Sequence, residues 1–131
     1  MRYLLDTDIC IFLLRRHPVV RARFGEHVKH GLAVSVITLA ELRYGAACSA
    51  KVEENQQVIS NWLQSIVVLD VTPAVAHTFA ESKAALRKHG NLIEDFDLLI
   101  GATAVANNLT LVTNNLSHFE RISGIFLDRW L

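Results

Sequence analysis

Short apolar, β-branched runs alternate with helical stretches along this chain, and nothing else in it narrows the fold as much. The runs are RYLLD (2–6), LAVSVI (32–37), IVVLDV (66–71), LTLVT (109–113) and GIFLDRW (124–130). Between them lie segments that read as helices. These are TDICIFLLRR, then HPVVRARFGEHVKHG with Pro18 in its first turn and Gly31 after its end, then TLAELRYGAAC. A further helix follows from the spacing of Val52, Ile59, Trp62, Leu63 and Ile66, and another opens at Pro73, carries Val75, Phe79 and Leu86, and stops at Gly90. Parallel strands need long crossovers, and helices of this length supply them. The alternation therefore predicts an α/β fold, a mostly parallel five-stranded sheet flanked by helices on both faces, with GIFLDRW as an edge strand. Such a sheet consumes apolar side chains on both sides. Of 131 residues 51% are hydrophobic, enough core for one domain, 1–131, without disulfides or a structural metal.

Charge and cysteine usage bound the partners. The formal net charge is zero, so no global field favours or forbids nucleic acid. Basic residues do cluster locally: Arg15, Arg16, Arg21, Arg23 and Lys29 stand against Glu26 alone in residues 15–30, and Lys83, Arg87, Lys88 and His89 form a second group. The plain reading of either group is a solvated helix face. Cys10 and Cys48 share no metal-like spacing and read as core thiols. No apolar run approaches the roughly 18 residues of a membrane span. Asp6 and Asp8 interrupt the N-terminus, which argues against a signal peptide, so a cytoplasmic protein is expected.

The acids raise a sharper question. Glu94, Asp95 and Asp97 lead directly into LLIGATAVA, a stretch without charge. A helix apolar nearly all round is a buried one. Asp6 ends the first run, Glu41 lies in the helix after the second, and Thr113 to Asn115 end the fourth. Ligands of open α/β sheets bind outside the carboxyl ends of the strands, which is where Asp6 and the TNN turn fall. Carboxylates gathered there repel one another and require a positive partner. Oxygen donors suit Mg²⁺ or Mn²⁺, and such an ion suits phosphate-ester chemistry. Capping explains the same acids locally. Asp6 can cap the helix after it, Thr38 to Glu41 has capping-box spacing, Asp95 can be an N-cap, and Asp97 can complement the positive helix end. Asp8, Glu94 and Asp70 read as solvated or capping residues, and Asn115 as a turn residue.

Four segments carry a resemblance that covers nearly the whole chain: YLLDTDICIFLLR, LAELRYG, IEDFDLLIGATA and LTLVTNNLSHFERISGI. In this order they resemble PIN-domain ribonucleases, and more closely the VapC toxins of bacterial VapBC toxin–antitoxin pairs. The resemblance implies a PIN-like α/β domain with a recessed acidic pocket. It also implies Mg²⁺-dependent cleavage of RNA phosphodiester bonds by metal-activated water, with Mn²⁺ able to substitute. Carried over residue by residue, the metal-binding acids are Asp6, Glu41 and Asp97. The fourth catalytic position falls on Asn115, where many PIN domains have aspartate; an amide brings no charge, which leaves three carboxylates to hold metal. Thr7, Asp95 and Thr113 are outer-shell candidates. Arg15, Arg16, Arg21, Arg23, Lys83 and Arg87 are candidates for the RNA backbone. The implied partners are RNA, a small VapB-like antitoxin and a second copy of the chain, in a homodimer and a toxin–antitoxin hetero-oligomer.

Three other readings stand beside this one. DTDIC after a first strand is similar to the D-x-D of haloacid-dehalogenase-like phosphatases, but the chain is short and no later lysine-plus-acid pair has a convincing placement. A receiver domain would use Asp70 and Thr113 but wants a lysine ending the last strand, where IFLDRW has none. A catalytically silent binding module would use the acids only as caps.

Overall fold

The computed structural model describes residues 2–131. Its first half runs β1 (Tyr3–Leu5), α1 (Thr7–Leu14), α2 (Pro18–His27), a 3-10 turn, β2 (Leu32–Ser35), α3 (Val36–Ala47) and α4 (Val52–Trp62). After a second 3-10 turn come β3 (Val67–Leu69), α5 (Pro73–Lys88), α6 (Asp95–Ala106), β4 (Thr110–Val112), α7 (Leu116–Phe119) and β5 (Phe126–Asp128). The strands form one sheet in the order β3-β2-β1-β4-β5, and all four pairings are parallel. The edge strand expected from GIFLDRW is β5. Gly31 (φ 79°) and Gly90 (φ 65°) end their helical segments in left-handed backbone that side chains disfavour. Among the described residues no helix is long and apolar enough to cross a membrane.

Strand alternation divides the core in two. Leu4, Ala33 and Leu111 face one side, where they meet Leu86 of α5, Leu98 and Ile100 of α6, and Phe119. Leu5, Leu32, Val34 and Val112 face the other, with Ile9 and Cys10 of α1, Val20 of α2, Leu42 of α3 and Ile59 of α4. The result is three layers in which the central strands β2, β1 and β4 are covered on both faces, while the edge strands expose Val67 and Phe126. Helix α6 is buried from Ile100 through Ala104, as its charge-free sequence requires. A side chain at Gly101 would overlap Ile122 Cδ1 and touch Phe119 Cδ1 at 3.5 Å. The missing Cβ thus lets α7 and the turn after it close down on α6.

Two sequence expectations change here. The run LAVSVI is strand only to Ser35; the helix begins at Val36, and Ser35 Oγ accepts from Ile37 N at 3.0 Å. Thr38 therefore lies inside α3, buried, and the capping box with Glu41 does not form. A better N-cap residue three positions earlier captured the helix start, and packing overrode the β-branched Val36 and Ile37. Cys10 is a core thiol, but Cys48 sits at the exposed end of α3.

Candidate active site

The order of strands reverses at β1, whose successors in the chain lie on opposite sides of it: β2 on one, β4 on the other. Ligand crevices form at such switch points. Leu5 pairs with Val112, so the next residues, Asp6 and Thr113, emerge side by side. Asp6 N still donates to Val112 O at 2.9 Å, and Thr113 N to Asp128 O at 3.1 Å. The Asp6 side chain is 5% exposed, and Thr113 is fully buried.

Both Asp6 oxygens are held. Oδ1 accepts from Thr7 N at 2.8 Å and Oδ2 from Thr113 Oγ1 at 2.8 Å. These bonds favour the charged form, yet burial first, then the charge of Asp8, then that of Asp97, push the Asp6 carboxyl up to about 7. Burial also raises Asp97, at the third position of α6, with Glu94 and Asp8 adding to the rise and His118 opposing it. Glu41 joins through Thr7. The Thr7 hydroxyl donates to Glu41 Oε1 at 2.8 Å and lies 3.0 Å from Thr38 Oγ1. Its single proton goes to the charged partner, leaving it to accept from Thr38.

The TNN turn closes the far side. Asn115 N donates to Thr113 Oγ1 at 2.9 Å, and the Asn115 side-chain nitrogen lies 2.8 Å from His118 Nδ1. His118 Nδ1 is also 3.9 Å from Asp97 Oδ2, too long for a hydrogen bond. Asp8 is no bystander either: Oδ1 caps Ile9 N at 2.7 Å while Oδ2 accepts from Asn114 N at 3.0 Å.

The expected residues thus divide. Asp6, Thr7, Glu41, Asp97, Thr113 and Asn115 belong to one set of hydrogen bonds and like-charge contacts. Asp95 turns the other way, to Lys83 Nζ at 2.8 Å, on the exposed side of α5 and α6. Glu94 occupies the N-cap position of α6 without capping and is exposed. Of the basic residues, Arg15 lines a cavity of about 360 Å³ with Glu41. Arg16 and Arg21 line another of about 490 Å³ with Phe24 and Trp62. Arg23 pairs with Glu26 at 3.9 Å, and Arg87 ends α5. Sequence reasoning missed Asp8, Thr38 and His118. Their only signals were an acid two residues after Asp6, a threonine one turn before Glu41, and a histidine three residues after Asn115.

A divalent cation suits this donor set. Every donor linked to Asp6 is a carboxylate, hydroxyl or amide, and burial, with neighbouring acids, raises the Asp6 and Asp97 carboxyls. Among the described residues no three His, Cys, Asp or Glu side chains converge tightly enough to cage an ion by themselves. An ion here would keep waters, which Mg²⁺ does readily.

The PIN domain family model matches residues 3–125. A ribonuclease VapC2 of Haemophilus influenzae is 39% identical over 132 residues, covering 100% of this chain and 99% of that protein. A tRNA(fMet)-specific endonuclease VapC of Shigella flexneri is 37% identical, covering 99% and 98%. The crystal structure of VapBC2 from Rickettsia felis bound to a DNA fragment from their promoter contains a chain 35% identical to this one. It superposes with a TM-score of 0.93 and full coverage of both.

Proposed function

Since the chain belongs to the PIN-domain family, in its VapC branch, we propose that it is the toxin of a toxin–antitoxin pair and cleaves RNA as a divalent-metal-dependent endonuclease. One observation carries the metal reading: Asp6 is buried, hydrogen-bonded through both oxygens, and still pushed up to about 7 by burial and neighbouring acids. Asp6 is also the N-cap of α1, through Thr7 N, but a cap alone calls for neither the Thr113 hydroxyl on its second oxygen nor the charges of Asp8 and Asp97 beside it.

Asp6, Glu41 and Asp97 would hold Mg²⁺ or Mn²⁺, with Asn115 as an uncharged fourth oxygen. A bound ion supplies charge for the developing phosphate oxyanion and a lower pKa for a water nucleophile. The protein's share is orientation. Thr113 and Thr7 N–H fix the Asp6 carboxylate, and Thr7 Oγ1 fixes Glu41. Asp8 ties the TNN turn to α1 through Asn114 N. Arg15, which shares a cavity with Glu41, would meet the RNA backbone leaving the site, followed by Arg16 and Arg21. A relative named for tRNA(fMet) makes an initiator tRNA the first substrate to try. The VapBC complexes among its structural relatives support a small VapB-like antitoxin as partner in a hetero-oligomer; the toxin homodimer within it is proposed on the family resemblance.

The test is incubation of purified protein with total RNA and with initiator tRNA, with Mg²⁺, Mn²⁺ or EDTA, beside Asp97→Asn. Discrete cleavage is expected only with metal and only with the wild type. Cleavage that survives EDTA, or that the variant performs equally, would overturn the proposal.

A further inference from the structure

Position 115 poses a problem that an aspartate would not. A carboxylate offers two equivalent oxygens, so either face can meet a cation. An amide offers one oxygen and one NH₂ group of the same shape, and only the oxygen can act as a ligand. With the amide turned over, two N–H protons would point at the cation. Something must choose between two isosteric orientations.

We propose that His118 makes that choice and is the positioning residue for Asn115; the inference rests on the metal-dependent reading above. The Asn115 nitrogen lies 2.8 Å from His118 Nδ1. An amide nitrogen only donates, so Nδ1 accepts and the ring carries its proton on Nε2. No donor among the described residues reaches Asn115 Oδ1 through the hydrogen bonds that hold the turn. The oxygen is thereby left for the site. The backbone of Asn115 is fixed independently of its side chain. Its N–H donates to Thr113 Oγ1, which donates in turn to Asp6 Oδ2. His118 follows three positions later on the same side of the α7 turn. The segment is seated by Phe119 and Ile122 against Gly101 of α6, the helix that carries Asp97. The ring is 3.9 Å from Asp97 Oδ2, so its short contact is with the amide. The site thus obtains a neutral fourth oxygen whose direction is set by a neighbour, where a fourth aspartate would have needed no such neighbour.

The test compares Mn²⁺ affinity by calorimetry in the wild type, His118→Ala, Asn115→Asp and the double variant, with circular dichroism to confirm that each is folded. Loss of a residue that orients a ligand typically weakens metal binding about 10–100-fold, and that loss is expected for His118→Ala in the wild-type background. In the Asn115→Asp background the same substitution should leave affinity unchanged, because a carboxylate has no wrong face. Equal losses in both backgrounds, or none in either, would overturn the role. If the wild type itself binds no Mn²⁺, the metal-dependent reading falls and this inference with it. Ring ¹⁵N shifts of His118 in the metal-free protein separate the two failures. A bare Nδ1 and a protonated Nε2 are expected; the opposite tautomer overturns the assignment whatever the metal does.

Discussion

At Asp6 two hydrogen bonds and two like charges pull in opposite directions, and burial sides with the charges. The sign of the consequence follows from linkage. The folded carboxyl, raised from 3.8 to about 7, keeps a proton that the unfolded chain has already released. The stability this lends the metal-free protein is complete below the unfolded value and is lost as pH rises through the folded one. Asp6→Asn removes the titration. The urea-denaturation stability of that variant, minus that of the wild type, should therefore grow from about pH 4 to about pH 7 and then level off; a flat or falling difference would contradict the assignment. Saturating Mn²⁺ should reverse the wild type's loss, by about 2.7 kcal/mol at a hundredfold excess over Kd, and should not do so for Asp6→Asn. At this scale the sequence was partly legible. The places of Asp6, Glu41 and Asp97 were readable because strand ends and a buried helix give them, while the roles proposed for them came from the family resemblance. Asp8 and His118 could not, since their roles depend on where a side chain points across residue separations that no periodicity reports. Asp95 shows the same limit in reverse: two residues before Asp97 in the same helix turn, it faces Lys83.

The elements differ in how well local sequence announced them. Helix α6 was plain, because a charge-free run of helical length has nowhere to go but the core, and its residues Ile100 to Ala104 are buried. Its rigidity is a premise of the site, since Asp97 stands on its first turn. Leu98, fully buried in the same turn, should cost about 2–5 kcal/mol of stability when cut to alanine, read as a shift in the urea midpoint. The exposed Lys83–Asp95 pair beside it is worth about 0–1 kcal/mol, so Asp95→Asn should disturb neither stability nor Mn²⁺ affinity. The start of α3 was not plain. LAVSVI reads as strand by its β-branching, and only the fold decides that the chain turns at Ser35 so that α3 can present Glu41 to Thr7. Ser35→Ala should cost about 0.5–2 kcal/mol by the lost cap, and the complete burial of Ser35 itself makes the upper half of that range the expectation. A cost near zero would return the helix start to Thr38.

Across the whole molecule the alternation of strand and helix carried the fold, and the parallel sheet it implied puts the acids at the switch point. Net charge carried nothing, because a sum of zero hides an uneven surface. The cavity shared by Arg15 and Glu41 and the cavity lined by Arg16 and Arg21 both include Leu14 and Val58. The two cavities therefore adjoin, and a groove joining them would run from Glu41 along α1 toward α2, past three cations. RNA following it would displace counterions, so binding should weaken with salt, at a logarithmic slope of about −0.7 per neutralised phosphate on a single strand. The Asp97→Asn variant permits the measurement without cleavage. In that background, replacing Arg15 and Arg21 by alanine should flatten the slope by about 1.4 and lower affinity evenly across RNA sequences, since phosphate contacts carry no sequence information. Arg129, which lies beyond the edge strand β5 and donates to Leu131 O, is the control whose loss should leave the slope alone. An unchanged slope in the double variant would move the RNA path off this groove while leaving the acid site in place. A slope that changes equally with Arg129 would mean the contacts are diffuse, and the groove no path at all.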